Sequence, residues 1–136
     1  MKIKELCIQN FKSIRLMHIQ NIENALILVG QNNTGKTTVL NAVRAAGGDY
    51  QISSEDFDED GANIEIMVSL EFTGKDLDLL RQKGVVSKYC RKEAWMQDFC
   101  KKLPSFAENV LTFTMSANRN GQIRYHDGFR KPEGCG

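Results

Sequence analysis

The nine residues Gly30-Gln31-Asn32-Asn33-Thr34-Gly35-Lys36-Thr37-Thr38 carry the chemistry most directly read from this chain. They fit the pattern G-x-x-x-x-G-K-[ST], in which successive backbone N–H groups turn inward to form a nest for a polyphosphate. A triphosphate carries several negative charges that must be neutralised away from bulk water. The nest supplies part of that neutralisation, and the positive end of a following helix supplies more. Gly30 and Gly35 permit turns that a Cβ would obstruct, and Asn33 stands where many such loops carry glycine. Lys36 is a point charge spaced to reach the β and γ phosphates, and Thr37 offers its hydroxyl to Mg²⁺. The spacing predicts a site for a nucleoside triphosphate with Mg²⁺.

Such a loop functions only when a strand delivers it and a helix continues it. Ala25 to Val29 is an unbroken apolar run, as expected of a strand covered on both faces. Lys36 to Ala46 reads as a helix with Val39, Leu40, Val43 and Ala46 on one side, closed by Gly47-Gly48. Upstream, residues 3–9 read as a strand with Leu6 and Ile8 on one face, Asn10 to Ser13 as a turn, and Ile14 to Ile19 as a second strand. Downstream, residues 49–62 read as a loop rich in Glu and Asp, and Asn63 to Phe72 alternates as a strand with one wet face. Thr73 is placed to cap a helix over 75–83, and Ser87 to cap another that runs to Leu103 before Pro104. Tyr89, Trp95, Met96, Phe99, Cys100 and Leu103 would form the apolar side of that second helix. Seven basic residues, Arg81, Lys83, Lys88, Arg91, Lys92, Lys101 and Lys102, mark the same region as a solvated face or a surface for nucleic acid. Residues 111–125 read as a hairpin turning at Asn120-Gly121, and residues 131–136 show no pattern.

The composition sets bounds on the function. At 136 residues the chain accommodates one modest domain, and its 41% hydrophobic and 26% charged content is that of an ordinary globular protein. A net charge of +1 gives no overall bias toward nucleic acid or membrane. No apolar stretch is long enough to span a bilayer, and the start lacks the apolar core of a secretory signal, so the expected location is the cytoplasm. Cys7, Cys90, Cys100 and Cys135 form no C-x-x-C pair and stand apart from His18 and His126. The expectation is free, packed thiols, with zinc only by long-range assembly.

Together, three features resemble a known group of ATPases. The opening, Ile3 to Ile14 with Asn10-Phe11-Lys12-Ser13, is similar to the first strand of ABC-type ATPases of the SMC/RecF class, which place an N-F-[KR]-S segment about twenty residues before the phosphate loop. The loop with its paired asparagines resembles that of the OLD branch and related AAA-type ATPases, and so does Glu55-Asp56-Phe57 ahead of an alternating strand. The resemblance covers roughly the first seventy residues. It implies ATP and Mg²⁺ as cofactors, and it implies roles for particular residues. Lys12 and Ser13 would lie against the nucleotide. Gly30, Asn32, Asn33, Thr34, Gly35, Lys36, Thr37 and Thr38 would wrap the phosphates. Lys36 would be catalytic, and Thr37 and Asp56 would lie at the metal. It further implies action on DNA in repair, chromosome maintenance or phage defence, a homodimer in the intact protein, no membrane, and in the OLD branch a nuclease domain downstream.

The chain also departs from that group. A Walker B strand ending in Asp-Glu and an LSGGQ-like signature are both absent from the sequence, and Ile66 to Glu71 lacks the required Asp before Glu71. The expectation is therefore an α/β fold: a partial P-loop NTPase sheet with an antiparallel β-rich subdomain and flanking helices. Residues 1–136 would be the N-terminal portion of a P-loop ATPase domain, inactive alone and hydrolytic when intact. The alternative is a module in which nucleotide gates assembly without turnover. A GTPase or small kinase is disfavoured, because Asn118-Arg119-Asn120-Gly121 is no N-K-x-D motif and no Arg-bearing lid is evident.

Overall fold

The computed structural model describes residues 2–20, 33–48, 50–84 and 86–128, with backbone alone for 33–36. The strand expected over Ala25–Val29, the first three residues of the phosphate loop and the tail after residue 128 lie outside the described residues. Within them the chain builds a five-stranded sheet of order β2-β1-β3-β4-β5. The strands are β1 (Lys2–Phe11), β2 (Ile14–Ile19), β3 (Ile64–Glu71), β4 (Val110–Ala117) and β5 (Ile123–Asp127), and every neighbouring pair is antiparallel. The helices are α1 (Asn33–Ala46), α2 (Gly74–Gln82) and α3 (Lys92–Lys102). This is the expected α/β architecture with an antiparallel β-rich part.

Register decides which side chains share a face. Leu6 pairs with Val68, which pairs with Phe113, and Ile8 pairs with Ile66, which pairs with Met115. Because side chains alternate along a strand, these rows fall on one face. There Leu6, Ile8, Ile64, Ile66 and Met115 are fully buried, together with Val39 and Ala42 of α1. Burying each of the large apolar side chains contributes about 1.5–3 kcal/mol. Ala42, Ala45 and Ala46 let α1 settle close to the sheet. The helix lies slightly rotated from its expected orientation, so that Leu40 is 44% exposed and Ala42 and Ala45 take the buried positions.

The opposite face was expected to be wet along β3, and it is so only at its ends, at Glu65 and Glu71. Met67 and Cys7 are fully buried as neighbours, Thr114 is fully buried, and Ser69 bonds Thr112 across the strands at 2.7 Å. Only the middle of β3 is covered on both faces, and Glu65 and Glu71 stay half-exposed on the opposite one. Alternation in the sequence cannot show a cover supplied from elsewhere in the chain. Cys90 and Cys100 are free thiols, whereas Cys7 is disulfide-bonded, contrary to the expectation of free cysteines.

Between β3 and β4 the chain adds α2 and α3. Thr73 caps α2 as expected: its hydroxyl accepts from the Asp76 N–H, and the Asp76 carboxylate accepts from the Thr73 N–H at 2.8 Å. α3 starts later than the sequence suggested, at Lys92 with Arg91 as N-cap. Ser87 is fully buried instead of capping, and Tyr89 is 57% exposed instead of packing. Trp95, Phe99, Phe106 and Phe72 form a separate aromatic cluster, with Trp95 stacked on Phe99 at 4.8 Å and Phe106 edge-on to Phe99 at 5.0 Å. The terminal hairpin turns over Asn118 to Gln122 and not at a two-residue Asn-Gly turn. The Asn118 carboxamide oxygen accepts from the N–H groups of Asn120 and Gln122, each at 3.0 Å, an Asx arrangement that fixes a longer loop.

Candidate functional site

Helix α1 begins at Asn33, three residues earlier than the sequence suggested. Asn33, Thr34, Gly35 and Lys36 therefore form its opening residues, where backbone N–H groups have no partner inside the helix. These residues include no acid, so no carboxylate of the helix itself offsets the positive end of its dipole. Immediately beyond, the two threonines separate: Thr37 is exposed, and Thr38 is 7% exposed. The buried pair Thr38 and Val39 fixes the helix on the sheet, which leaves Thr37 on the open side. Opening amides that lack intrahelical partners, no acid in the first turn and an exposed Thr37 at one helix start suit an anionic ligand with its metal. Gly30 and Asn32 lie outside the described residues, and the side chains of Asn33, Thr34 and Lys36 are not described.

A second group forms around the turn that joins β1 to β2. Asn10 and Lys12 both adopt left-handed backbone, with φ of 60° and 54°. For non-glycine residues this conformation costs about 1–2 kcal/mol each, and specific bonds hold it in place. Asn10 Nδ2 donates to the Asn63 carbonyl at 3.2 Å, and the Lys12 N–H donates to the Asp56 carbonyl at 2.7 Å. Lys12 Nζ lies 3.8 Å from Asp56 Oδ1 and over the rings of Tyr50 and Phe11, at 5.7 and 5.8 Å from their centres. Those two rings meet edge to face at 6.0 Å. Ser13, next in the chain, is exposed.

Asp56 is 2% exposed and its carboxylate is already engaged. Oδ1 accepts from the Tyr50 hydroxyl at 2.8 Å, and Oδ2 accepts from the Ser53 N–H at 2.9 Å. Burial, and then the adjacent Asp56 carboxylate, push the Tyr50 phenol above its ordinary value, while Lys12 pulls it down. Asp56 thus anchors the loop from Tyr50 to Phe57 onto the β1–β2 turn, and its oxygens are taken up by protein donors. Among the described residues no three His, Cys, Asp or Glu side chains converge as a metal set. Sequence reasoning missed Tyr50 and Ser53. The S-x-x-D spacing from Ser53 to Asp56 was the available signal for the second.

The chain belongs to the AAA ATPase domain family, whose model matches residues 1–128. It is 28% identical over 131 residues to the uncharacterized protein MJECL44 of Methanocaldococcus jannaschii, a match that takes in 95% of this chain and 36% of that protein. The chain thus spans little more than a third of that relative's length. In fold it is similar, with a TM-score of 0.53 and 15% identity, to a solved SMC ATPase studied for ATP-driven dimerization and DNA-stimulated activation. That likeness covers 96% of this chain and 71% of the other. No helix among the described residues is long and apolar enough to cross a membrane.

Proposed function

We propose that residues 30–38 bind ATP with Mg²⁺, and that the chain is the N-terminal portion of an ABC-type ATPase whose turnover rearranges a dimer engaged on DNA. The observation that carries this reading is the start of α1 within the G-x-x-x-x-G-K-T motif, with no acid in its opening residues and Thr37 exposed. Gly30, Asn32, Asn33, Thr34, Gly35 and Thr38 wrap the phosphates in this reading, and Thr37 holds the metal. Bound Mg²⁺ neutralises charge on the β and γ phosphates. Lys36 stabilises the charge that develops on the same groups in the transition state. Lys12 and Ser13 approach the nucleotide from the β1–β2 turn, and Asp56, which also anchors Lys12, lies near the metal in this reading. The Walker B carboxylates and the signature segment come from another part of the intact protein. Repair, chromosome maintenance and phage defence are the settings consistent with the resemblance to SMC, RecF and OLD proteins.

The test is phosphate release by the full-length protein with and without DNA, for wild type and Lys36→Ala. Loss of one preorganised charge at the transition state lowers turnover about 100- to 1,000-fold. Near-normal turnover by the variant defeats the assignment. Nucleotide binding without turnover by the wild type, with or without DNA, supports the gating module instead.

A further inference from the structure

On the sheet face away from α1, the β4–β5 hairpin bounds a groove of about 190 Å³ lined by Asn63, Ser116, Asn118, Gln122, Arg124 and His126. Ser116 pairs with Arg124 and Thr114 with His126, so Ser116, Arg124 and His126 project from that one face. Every lining residue is polar, none is an acid, and none belongs to residues 30–38. Glu65 stands in the row of Ser116, one strand further from Arg124, and has a partner of its own, as has His126. The bonds within the hairpin loop fix what the groove offers. The Asn118 side-chain oxygen accepts from the N–H groups of Asn120 and Gln122, each at 3.0 Å. A backbone N–H can only donate, so the other end of that carboxamide is its NH₂ group, which donates to Gln122 Oε1 at 2.8 Å. The Gln122 oxygen is thereby engaged, and the Gln122 NH₂ group has no acceptor among the described residues. The Arg124 guanidinium, with its further donors in a planar fork, makes no hydrogen bond or ion pair with any described residue.

The groove is therefore rich in donors because the loop's own bonds consume its amide oxygens. An occupant must present acceptors on several sides at once and carry negative charge for Arg124. No apolar side chain lines the groove, so nothing there favours a hydrocarbon stem or a ring. Its volume is several times the ~30 Å³ share of one water, which leaves room for an oxyanion and its ester substituent. We propose that this groove binds a phosphate group, the chemistry shared by a small phosphate ester and the backbone of a nucleic acid. The Arg124 fork takes two phosphate oxygens and the Gln122 NH₂ group donates to a third. The Ser116 hydroxyl, which rotates to donate, and the Asn63 carboxamide complete the shell.

The experiment follows the Gln122 side-chain NH₂ and Arg124 Nε–H resonances of the 136-residue chain. At fixed ionic strength, chloride is replaced by inorganic phosphate or by a single-stranded thymidine hexanucleotide. Phosphate should shift those resonances saturably, with a midpoint of roughly 1–10 mM, as its few heavy atoms allow. Arg124→Gln should weaken phosphate about tenfold or more. Gln122→Glu keeps an oxygen for Asn118 but removes the two donors, and should weaken it by at least about as much. Lys83→Gln and Gln82→Glu make the same charge changes at the end of α2, and should leave the midpoint within about twofold. All four positions are exposed, and far-UV spectra check that each variant folds. Should a groove variant fail to fold, the location of the shifts in the wild type and the two α2 variants carry the decision. Tighter binding of the hexanucleotide than of phosphate, on the same resonances, identifies a nucleic-acid backbone as the source. Equal or weaker binding identifies a small phosphate ester. A response that never saturates, groove variants without effect, or equal losses from the α2 variants overturns the proposal. So do shifts confined to residues 30–38, which would leave the reading of the phosphate loop intact.

Discussion

Replacing Tyr50 with Phe isolates one hydrogen bond in the cluster that anchors the β1–β2 turn. The ring stays against Phe11 at 6.0 Å and beneath the Lys12 ammonium at 5.7 Å, and only the hydroxyl that donates to Asp56 at 2.8 Å is lost. Asp56 is 2% exposed, so its carboxylate cannot replace that donor with bulk water unless the loop moves. It keeps the Ser53 N–H at 2.9 Å and Lys12 at 3.8 Å. A net hydrogen bond to a charged acceptor contributes about 1.5–3 kcal/mol, and the part-exposed phenol places this one near the lower end, at about 1–2 kcal/mol. For a chain of this length each kcal/mol corresponds to about 3–5 °C in Tm. Urea unfolding of wild type, Tyr50→Phe, Asp56→Asn and the double variant gives the coupling between the pair, expected at about 1 kcal/mol. The pH profile supplies a second signature. The folded phenol titrates above its unfolded value, so its contribution is complete below the unfolded value of about 10 and is lost as pH rises through the folded one. Wild type should lose that stability at high pH, and Tyr50→Phe should not. A coupling below about 0.3 kcal/mol together with indistinguishable alkaline profiles would refute the anchoring role of this pair.

Other expected outcomes rest on particular contacts. The neighbouring Ser87 hydroxyl and the Lys102 ammonium, 3.0 Å from Asp98 Oδ2, together hold the Asp98 carboxyl below its ordinary value. NMR titration should find Asp98 below the ordinary carboxylate range. Lys102→Met should raise it, and the contribution of Asp98 to stability should be present above the unfolded carboxylate value and fade as pH falls through the folded one. Ile66→Ala removes a fully buried side chain from the central strand and should cost about 3–4 kcal/mol in urea unfolding. Gly128→Ala would place a Cβ 2.9 Å from the Thr112 carbonyl oxygen, a backbone atom that cannot yield cheaply. A loss of about 1–3 kcal/mol is expected, and unchanged stability would contradict the packing at the end of β5.

Much of the sheet was legible because strand alternation is a local signal. Leu6 and Ile8 share the buried face as their spacing implied, and β3 lies over the residues that alternate. The departures have local competitors or distant causes. Asn118 outcompeted Asn120-Gly121 because its carboxamide captures two backbone amides. Ser87 reads as a cap from its type, but the chain buries it near Asp98 and leaves Arg91 at the start of α3. The cover over the middle of β3's second face could not be read, since nothing in Ile64–Glu71 states what lies above Met67. At the candidate site, the phosphate-loop motif and the N-F-K-S turn stood out from residue types alone. The Tyr50–Asp56–Lys12 arrangement did not, because it joins segments far apart in sequence through a left-handed turn that only the folded chain reveals.

The central claim is that the first turn of α1 grips a polyphosphate. The most direct measurement follows the backbone amide resonances of the full-length protein as Mg²⁺ and a non-hydrolysable ATP analogue are added. Saturable shifts concentrated on residues 30–38 are predicted, abolished or weakened at least about tenfold by Lys36→Ala. Binding that leaves those amides unmoved, or that survives Lys36→Ala unchanged, would contradict the claim.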